Sequence, residues 1–399
     1  MKLRFLKILI ACLTAATANA QQTNEPYAAE VNWALNGGAS QSSTLELGTA
    51  ERAIDGNTDG NYASNSTTHS GGSDQDGDPR DPYWEVDLGD GRSIGSVHVW
   101  FRTDCCGQRN DDFTVLILNS SRTEVARWSY PGRPPRDAKN GLHYLYNMAT
   151  PVVGHFVRFV PQNPLTTSDG FFSLAEVQVI APYQGVAVNL TQNLVSASVS
   201  EGRVVTLGPV AATVTGAPQD RLTYQWLRNG QEIPGANGST YTTPVQRLAD
   251  SGTAFTVRCS VSGQSVLSGQ GVVTVTPDVE RPVINELSFG SGPAMRAIFR
   301  FNEVMDPVSS VQVANYDFGP GTTVTRAILS PILQDPADQH LYQTVTLEVT
   351  GIAQNAPYSV AVSGAKDLAG NELAGVTRSG TTPFFEVNWA MGGSATQSS

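Results

Sequence analysis

Basic residues are scarce in this chain of 399 residues. It holds 25 Lys and Arg against 36 Asp and Glu, and its formal net charge is −11. Nucleic acids and anionic membranes are bound through clustered Lys and Arg, so this balance argues against both as partners. No apolar run beyond the N-terminal segment is long enough to cross a bilayer. The sequence therefore predicts no nucleic-acid partner and no membrane insertion.

Cysteine is rarer still, and the chain has only Cys12, Cys105, Cys106 and Cys259. Cys12 lies within residues 1–20, whose basic start, apolar middle and Ala-Asn-Ala end predict a cleaved secretory signal peptide. Because that segment holds three basic and no acidic residues, its removal takes the net charge to −14. Export exposes the remaining thiols to oxidising conditions, where a disulfide is chemically reasonable. Three cysteines cannot all pair within one chain, so at least one is expected to stay free.

Long helical periods are missing as well. Short segments with apolar residues at alternate positions recur between frequent Gly and Pro, as in residues 96–101, 114–118, 273–276 and 344–349. Alternation with a period of two is typical of half-buried β-strands. The chain is therefore predicted to be all-β, built from sandwiches and barrels.

The chain divides into a signal peptide, three β-domains and a terminal repeat. The predicted limits are 1–20 for the signal peptide, 27–182, 186–278 and 281–382 for the domains, and 386–399 for the repeat. Residues 386–399 nearly duplicate 30–43, the opening of the first domain. Residues 386–399 are therefore predicted to be the start of a second, truncated copy of the first domain, and a repeated binding module predicts multivalency.

The second domain resembles an immunoglobulin-like sandwich. Residues 224–230 are similar to its strand C, and residues 250–259 to its E–F corner and strand F. The cysteine expected on strand B is missing, and Val205 or Leu207 stands in its place. Cys259 is therefore predicted to be a small buried hydrophobe rather than a reactive thiol.

The third domain resembles the immunoglobulin-like modules of bacterial surface proteins and extracellular enzymes. Residues 301–307 and 366–371 carry that similarity. The resemblance implies a spacer, and with the signal peptide it predicts a secreted or cell-surface bacterial protein.

One stretch carries the functional signal: Arg102-Thr103-Asp104-Cys105-Cys106-Gly107-Gln108-Arg109, preceded in the chain by His69. A histidine, an Arg-x-Asp segment and a second basic residue five positions after the Asp closely resemble the signature of the F-type lectins. These are fucose-binding proteins related to the discoidin domains. The resemblance covers the first domain and implies a discoidin-like β-sandwich or jelly roll, followed here by the two immunoglobulin-like sandwiches.

The resemblance implies that His69, Arg102 and Arg109 bind L-fucose on glycans. Fucose is neutral, so it must be recognised by hydrogen bonds and apolar contact, and arginine offers fixed forks of N–H donors. A sugar without the matching axial hydroxyl would leave buried donors unpaired, at about 1–3 kcal/mol each. Asp104 lies between the two arginines in sequence. It is expected to pair with one of them and fix its guanidinium, without contacting the sugar itself.

The adjacent cysteines match the same family, which implies a disulfide between Cys105 and Cys106 that offers the sugar a rigid sulfur surface. The alternative is that both are reduced or pair separately. Tyr62 is expected to form an aromatic wall for the methyl group of fucose, with ordinary core packing as the other interpretation. Leu45 and Leu47 are weaker candidates for that contact.

The resemblance also implies a structural Ca²⁺ ion, because residues 52–57 match the metal loop of the family. Hard oxygen ligands in a mixed set of carboxylates and carbonyls suit this ion. The expected ligands are the side chains of Asp55, Asn57 and Glu176 and the backbone oxygens of Arg52, Ser66 and Ala175. The alternative is a turn without an ion.

A second acidic loop contains Asp74, Asp76, Asp78 and Asp81. It resembles a calcium loop, but its spacing departs from the usual pattern. A solvated loop is the favoured interpretation.

The predicted function is binding without catalysis. A glycosidase needs two opposed carboxylates in one cleft, and the sequence offers no convincing pair. Two alternatives remain open: a discoidin-type adhesion module for another glycan or surface, and the binding part of a larger carbohydrate-active enzyme.

Overall fold

The computed structural model describes residues 30–70, 82–134, 136–137, 141–162, 171–291, 295–335 and 340–385. Within these ranges the regular structure is β-strand with short 3₁₀ turns, which confirms the all-β prediction. No helix in these ranges is long and apolar enough to cross a membrane. The predicted signal peptide, the loop from Asp74 to Asp81 and the repeat at 386–399 lie outside the described residues.

Seven strands form the first sheet system, and four 3₁₀ turns accompany them. The strands are β1 (Gly38–Gln41), β2 (Trp84–Phe101), β3 (Phe113–Leu118), β4 (Glu124–Tyr130), β5 (Arg136–Asp137), β6 (Gly141–Pro161) and β7 (Leu174–Ile180). The 3₁₀ turns are Trp33–Asn36, Ala50–Ala53, Tyr62–Ser64 and Gly107–Asn110.

β2 is the central strand and pairs antiparallel with β1, β6 and β7. Its first residues lie opposite β1, and its last six lie opposite β7. The register against β6 shifts between Asp87 and Arg92 and again between Ile94 and Ser96, and such irregularities bend a strand.

Large aromatic side chains fill this first core, and each of the following is at most 2% exposed: Trp84, Phe101, Phe113, Phe159 and Phe172. Side chains alternate between the two faces of a strand. Phe101 enters the core at the end of β2, and the next residue, Arg102, is half-buried, with 12% of its side chain exposed. Burial of the strand thus places a charged side chain at its end.

The second group of strands surrounds a separate apolar cluster. The strands are β8 (Ala187–Gln192), β9 (Ala197–Ser200), β10 (Thr206–Leu207), β11 (Ala211–Thr215), β12 (Thr223–Arg228), β13 (Gln231–Glu232), β14 (Tyr241–Thr242), β15 (Thr253–Val261), β16 (Gln264–Leu267) and β17 (Gly271–Thr276). The 3₁₀ turns are Gln219–Arg221 and Leu248–Asp250.

Cys259 lies in this second cluster beside Trp226, and both are fully buried. Cys259 is a free thiol, as predicted, and burial raises its pKa to about 11. Leu207 is also in the cluster and Val205 packs against it, so both candidates for the missing strand-B cysteine face the same core. The immunoglobulin-like assignment of this group and the domain limits remain predictions.

The third group has its own apolar cluster, which includes Phe299, Phe301 and Leu347. The strands are β18 (Ile284–Gly290), β19 (Met295–Phe301), β20 (Tyr316–Asp317), β21 (Thr323–Leu329), β22 (Leu333–Gln334), β23 (Leu341–Tyr342), β24 (Thr344–Thr350), β25 (Pro357–Val362) and β26 (Val376–Thr381). One 3₁₀ turn, Val313–Asn315, accompanies them.

The first and second groups are in direct contact. Asn147 of β6 is 4% exposed, and its amide nitrogen donates to the carbonyl oxygens of Arg221 (2.8 Å) and Ser260 (3.0 Å). Gly95 of β2 lies at the same boundary. A Cβ atom there would sit 2.3 Å from the Oγ of Ser262 and 2.8 Å from the Cα of Pro182. The boundary has no room for a side chain at position 95.

Gly95→Ala is expected to lower the free energy of unfolding by about 1–3 kcal/mol, because a methyl group would overpack this contact. Chemical denaturation followed by tryptophan fluorescence measures the change. Gly38→Ala is the matched control, since a Cβ at position 38 meets no atom within 4 Å. Equal stability of Gly95→Ala and the wild type would contradict the close approach.

Candidate functional site

His69 is held rigidly at the edge of the first core and is 6% exposed. Its backbone N–H donates to the carbonyl of Gly48 (2.8 Å), and its own carbonyl accepts from the N–H of Leu45 (3.0 Å). A Cβ at Gly48 would lie 2.5 Å from the backbone nitrogen of His69, so only glycine fits there. The loop 45–48 therefore fixes the position of the imidazole.

Arg109 reaches the imidazole from the 3₁₀ turn Gly107–Asn110, and its Nη1 lies 3.3 Å from the Nε2 of His69. A guanidinium only donates hydrogen bonds, so Nε2 accepts this one and the proton of a neutral imidazole is on Nδ1. Nδ1 lies 3.7 Å from the Oε2 of Glu46. The imidazole is thereby oriented between a cation and a carboxylate.

Arg102 is held by Asp104 through two parallel hydrogen bonds. Nε donates to Oδ1 (2.7 Å) and Nη2 donates to Oδ2 (3.1 Å). These bonds to Arg102 are the main reason that the pKa of Asp104 lies below its usual range. Paired forks of this kind fix the plane of a guanidinium. The structure thus pairs Asp104 with Arg102 rather than with Arg109.

Tyr62 connects the two halves of the site. Its ring meets the imidazole of His69 edge-on at 5.6 Å between centroids, and the guanidinium of Arg102 lies 4.5 Å from its ring centroid. Its hydroxyl donates to the carbonyl of Glu46 (2.5 Å), and burial followed by the charge of Glu46 raises its pKa. Tyr62 is therefore part of the site rather than of the apolar core.

The structure adds Phe171 to the residues that the sequence predicts. Its ring lies edge-on to His69 at 5.2 Å, and the guanidinium of Arg109 lies 4.9 Å from its ring centroid. Its neighbour Phe172 is 1% exposed in the core. Because adjacent side chains in an extended chain point to opposite faces, the Phe-Phe pair was a signal for one buried and one surface ring.

Cys105 and Cys106 are joined by a disulfide in the loop between Arg102 and Arg109. Cys106 adopts a left-handed conformation (φ 60°) at the start of the 3₁₀ turn that carries Arg109. Cys105 is exposed and Cys106 half-buried, so this loop has a surface that a ligand can reach. Of the weaker apolar candidates, Leu47 is 81% exposed and Leu45 is half-buried.

The predicted metal loop is tightly ordered by its own side chains. The Oδ1 of Asp55 accepts from the N–H of Asn57 (2.8 Å), and the Oγ of the buried Ser66 donates to the carbonyl of Asn61 (2.8 Å). Arg52 donates from Nη1 to the carbonyl of Thr67 (3.2 Å). The loop lies against β7, where Ala175 and Glu176 are fully buried and the carboxylate of Glu176 accepts from the N–H of Gly56.

Glu176 is the most informative member of this set. Its Oε2 accepts from the N–H of Gly56 (3.2 Å), whereas its buried Oε1 has no hydrogen-bond partner among the described residues. Burial, together with the nearby charge of Asp55, raises the pKa of Glu176 to about 8. A buried carboxylate oxygen without a donor, beside a second carboxylate, has the chemistry of a hard-cation ligand.

Comparison with known proteins assigns the first group of strands to a known class of domain. Residues 52–159 match the family model described as a NedA-like, galactose-binding domain. The fold and the cluster of His69, Arg102 and Arg109 thus define a module of the galactose-binding-domain class.

Sequence relatives narrow this class. The chain is 36% identical over 126 residues to fucolectin-4 of Anguilla japonica, covering 30% of this chain and 66% of that protein. It is 33% identical over 154 residues to fucolectin-6 of the same species, covering 33% of this chain and 79% of that protein. The chain belongs to the fucolectin family. It spans 64% of the length of both fucolectin-3 and fucolectin-2.

A solved structure of a Streptococcus pneumoniae fucose binding module is also similar. It shares 29% identity, covers 38% of this chain and 95% of that chain, and has a TM-score of 0.32. The family model and the sequence relatives confirm the expected resemblance to the F-type lectins for the first group of strands.

A carboxyl titration tests the geometry of the site. Asp104 is expected to titrate below the usual Asp range, because its carboxylate accepts two hydrogen bonds from Arg102. Since the folded pKa is depressed, the pairing is complete above the ordinary Asp pKa and is lost only as the pH falls through the lower folded value. Carboxyl ¹³C NMR measures this titration.

Arg102→Ala should return the titration of Asp104 toward the ordinary range. Arg127→Ala removes an arginine that pairs with Glu124 elsewhere in the same group and should leave Asp104 unchanged. A wild-type Asp104 that already titrates in the ordinary range would contradict the paired geometry.

Proposed function

We propose that the first group of strands is a lectin domain that binds L-fucose on glycans without catalysis, within a secreted, calcium-containing protein. The observation that supports this most is a continuous series of contacts, in which Arg109 meets His69 and both His69 and Arg102 meet the ring of Tyr62. The relatives named fucolectins support the choice of sugar.

The site suits a neutral ligand with several hydroxyl groups. Arg102 and Arg109 are half-buried, and each guanidinium carries five N–H donors in a fixed plane. Asp104 satisfies two of the donors of Arg102 and leaves its outer edge for a ligand. Hydroxyl oxygens of a sugar can accept from these donors, while a sugar of the wrong geometry leaves them unpaired at about 1–3 kcal/mol each.

Apolar contacts complete the proposed recognition. Tyr62 and Phe171 flank His69 on two sides, and the disulfide of Cys105 and Cys106 lies in the adjoining loop. These groups offer surfaces for the methyl group and the apolar face of a deoxy sugar. One shallow site of this kind is expected to bind a monosaccharide with a Kd of about 1 µM to 1 mM, or about −8 to −4 kcal/mol.

Binding without turnover fits the carboxylates near the site. Glycoside hydrolysis needs two carboxylates that flank the scissile bond. Asp104 is engaged through both oxygens by Arg102, and the carboxylate of Glu46 faces the imidazole of His69. Neither is poised as one of an opposed pair. The described residues around His69 therefore support a binding role.

Calcium belongs to the proposal as a structural ion. The side chains of Asp55, Asn57 and Glu176, with the backbone oxygens of Arg52, Ser66 and Ala175, would hold it. The buried Oε1 of Glu176 lacks a donor among the described residues, and a bound ion would supply the positive charge that this carboxylate needs. Its expected effect is to fix the metal loop, which the 3₁₀ turn with Tyr62 follows in the chain.

Multivalent binding is also proposed, from the near duplication of residues 30–43 at 386–399. A second module on one chain raises the effective concentration of each site at a glycan-bearing surface. The strands between the two copies would then set the spacing of the sites.

Arg109→Ala is expected to abolish L-fucose binding while leaving thermal unfolding nearly unchanged, because Arg109 is half-buried and outside the apolar core. Isothermal titration with L-fucose and a thermal melt measure the two effects. Arg127→Ala, in the same group but in an exposed ion pair, is the control and should bind normally. Normal fucose binding by Arg109→Ala would reject the proposed site, and collapse of the fold would show Arg109 to be structural.

Removal of calcium is expected to lower the unfolding temperature of the wild type. A ligand at 100 times its Kd stabilises the folded state by about 2.7 kcal/mol. Glu176→Gln should show a smaller calcium-dependent shift, since it replaces a charged ligand with a neutral one. Glu124→Gln alters an exposed carboxylate of the same group and should behave as the wild type. If calcium shifted the unfolding temperature of Glu176→Gln as much as that of the wild type, Glu176 would not be a ligand of the ion.

A further inference from the structure

Three carboxylates from distant parts of the chain meet where the second group of strands joins the third. Asp278 follows β17, Glu303 follows β19, and Asp367 precedes β26. One carboxylate oxygen from each lies within 4.8 Å of the other two. We call Asp278, Glu303 and Asp367 the junction cluster.

Glu303 distinguishes the junction cluster from a solvated acidic patch. It is only 6% exposed, and its side-chain hydrogen-bond partner is another carboxylate, that of Asp278. Its carboxylate faces those of Asp278 and Asp367. Burial and then the charges of these two residues raise the pKa of Glu303 to about 7, while the charge of Arg203 opposes the shift.

The two partners of Glu303 are held in place by backbone and amide donors. Both oxygens of Asp367 accept from Asn371, one from its backbone N–H (2.9 Å) and one from its side-chain amide (2.9 Å). The same amide donates to the backbone carbonyl of Asp278 (3.1 Å), and the Oδ1 of Asp278 accepts from the N–H of Glu280 (3.0 Å). Each oxygen keeps a lone pair, so the three carboxylates form an ordered set of acceptors.

We propose that Asp278, Glu303 and Asp367 bind a Ca²⁺ ion that fastens the end of the second group of strands to the third. Two oxygens bound to one calcium at about 2.3–2.6 Å lie at most about 5 Å apart, which matches the spacing of the cluster. A bound cation would compensate the charge of a buried carboxylate that faces two others.

The donor set selects among cations. The cluster contains only oxygen ligands, whereas zinc prefers the nitrogen of His and the sulfur of Cys. Magnesium demands near-ideal octahedral geometry and usually keeps several waters around one or two carboxylates. Three carboxylates and a nearby carbonyl suit the larger and more flexible shell of calcium.

The site would have a mechanical consequence at the junction. Asp278 belongs to the segment between β17 and β18, while Glu303 and Asp367 belong to loops that pack on the third core. Met305 and Asp367 form an isolated β-bridge, which already ties these two loops together. The ion adds the connecting segment to this pair of loops and restricts the angle between the two groups.

Calcium titration of the full chain by calorimetry, after removal of bound metal with chelator, tests the proposal. The Glu303→Gln variant is expected to bind one Ca²⁺ ion fewer than the wild type. The same loss is expected when Glu303→Gln is added to the Glu176→Gln variant. Asp278→Asn is expected to weaken the same binding event at least tenfold. Since Asp278 is only half-buried, this variant serves if Glu303→Gln does not fold. Glu280→Gln, an exposed neighbour on the same segment, is the control and should bind normally.

Thermal unfolding separates a ligand role from a structural one. With chelator present, Glu303→Gln should unfold at the same temperature as its parent or higher, because it removes repulsion among carboxylates. With calcium present, the parent should gain stability that the variant does not. An unchanged number of bound calcium ions in both Glu303→Gln and Asp278→Asn would overturn the proposal. Fucose binding should be normal in both, so loss of the lectin function would be recognised independently.

Discussion

The antiparallel pairing of β2 with β6 and β7 positions two parts of the candidate site: Arg102, which follows β2, and Glu176 of the predicted metal site on β7. β2 ends with Phe101 in the core, and Trp100 lies opposite Glu176 of β7 in the sheet register. Phe101 is 1% exposed and its neighbour Trp100, on the other face of the strand, is 5% exposed, so this register buries both faces at the end of β2. Burial of aromatic side chains thus determines where the guanidinium of Arg102 and the carboxylate of Glu176 lie.

Much of the candidate site could be predicted because its members are close in sequence or belong to a family pattern. Arg102, Asp104 and Arg109 share one loop, and alternation along β2 explains why that loop begins at the surface. His69 could be predicted only from the family signature. Its contact with Arg109 depends on a register between distant segments that no local pattern specifies.

The contacts of Phe171 and Glu46 with His69 could not be predicted from local sequence either, because they too depend on how separate segments pack. Phe171 reaches His69 because its neighbour Phe172 is buried and forms a bridge with Ser70, next to the histidine. Glu46 reaches it through a loop whose backbone bonds to His69. The all-β class, by contrast, followed from alternation, which each strand carries in its own residues.

Two buried glutamates show how differently the fold treats the same group. Glu176 accepts a hydrogen bond from the backbone N–H of Gly56, whereas the side-chain partner of Glu303 is another carboxylate, that of Asp278. Both lie beside other carboxylates, and burial raises the pKa of both. The junction cluster could not be predicted from the sequence, because its three members are far apart in the chain. Only the packing of the third core brings them together.

The arrangement of Arg102 bears directly on selectivity. Its guanidinium is fixed by Asp104 and by the ring of Tyr62, so little side-chain freedom remains to be lost when a ligand binds. A flexible arginine would turn toward whichever hydroxyl a sugar offered and would discriminate poorly. A fixed one either meets an acceptor or is left with an unpaired donor, which costs about 1–3 kcal/mol, or roughly a 5- to 150-fold change in affinity. In the proposed site, selectivity for a neutral sugar would thus depend on the rigidity that Asp104 imposes on Arg102.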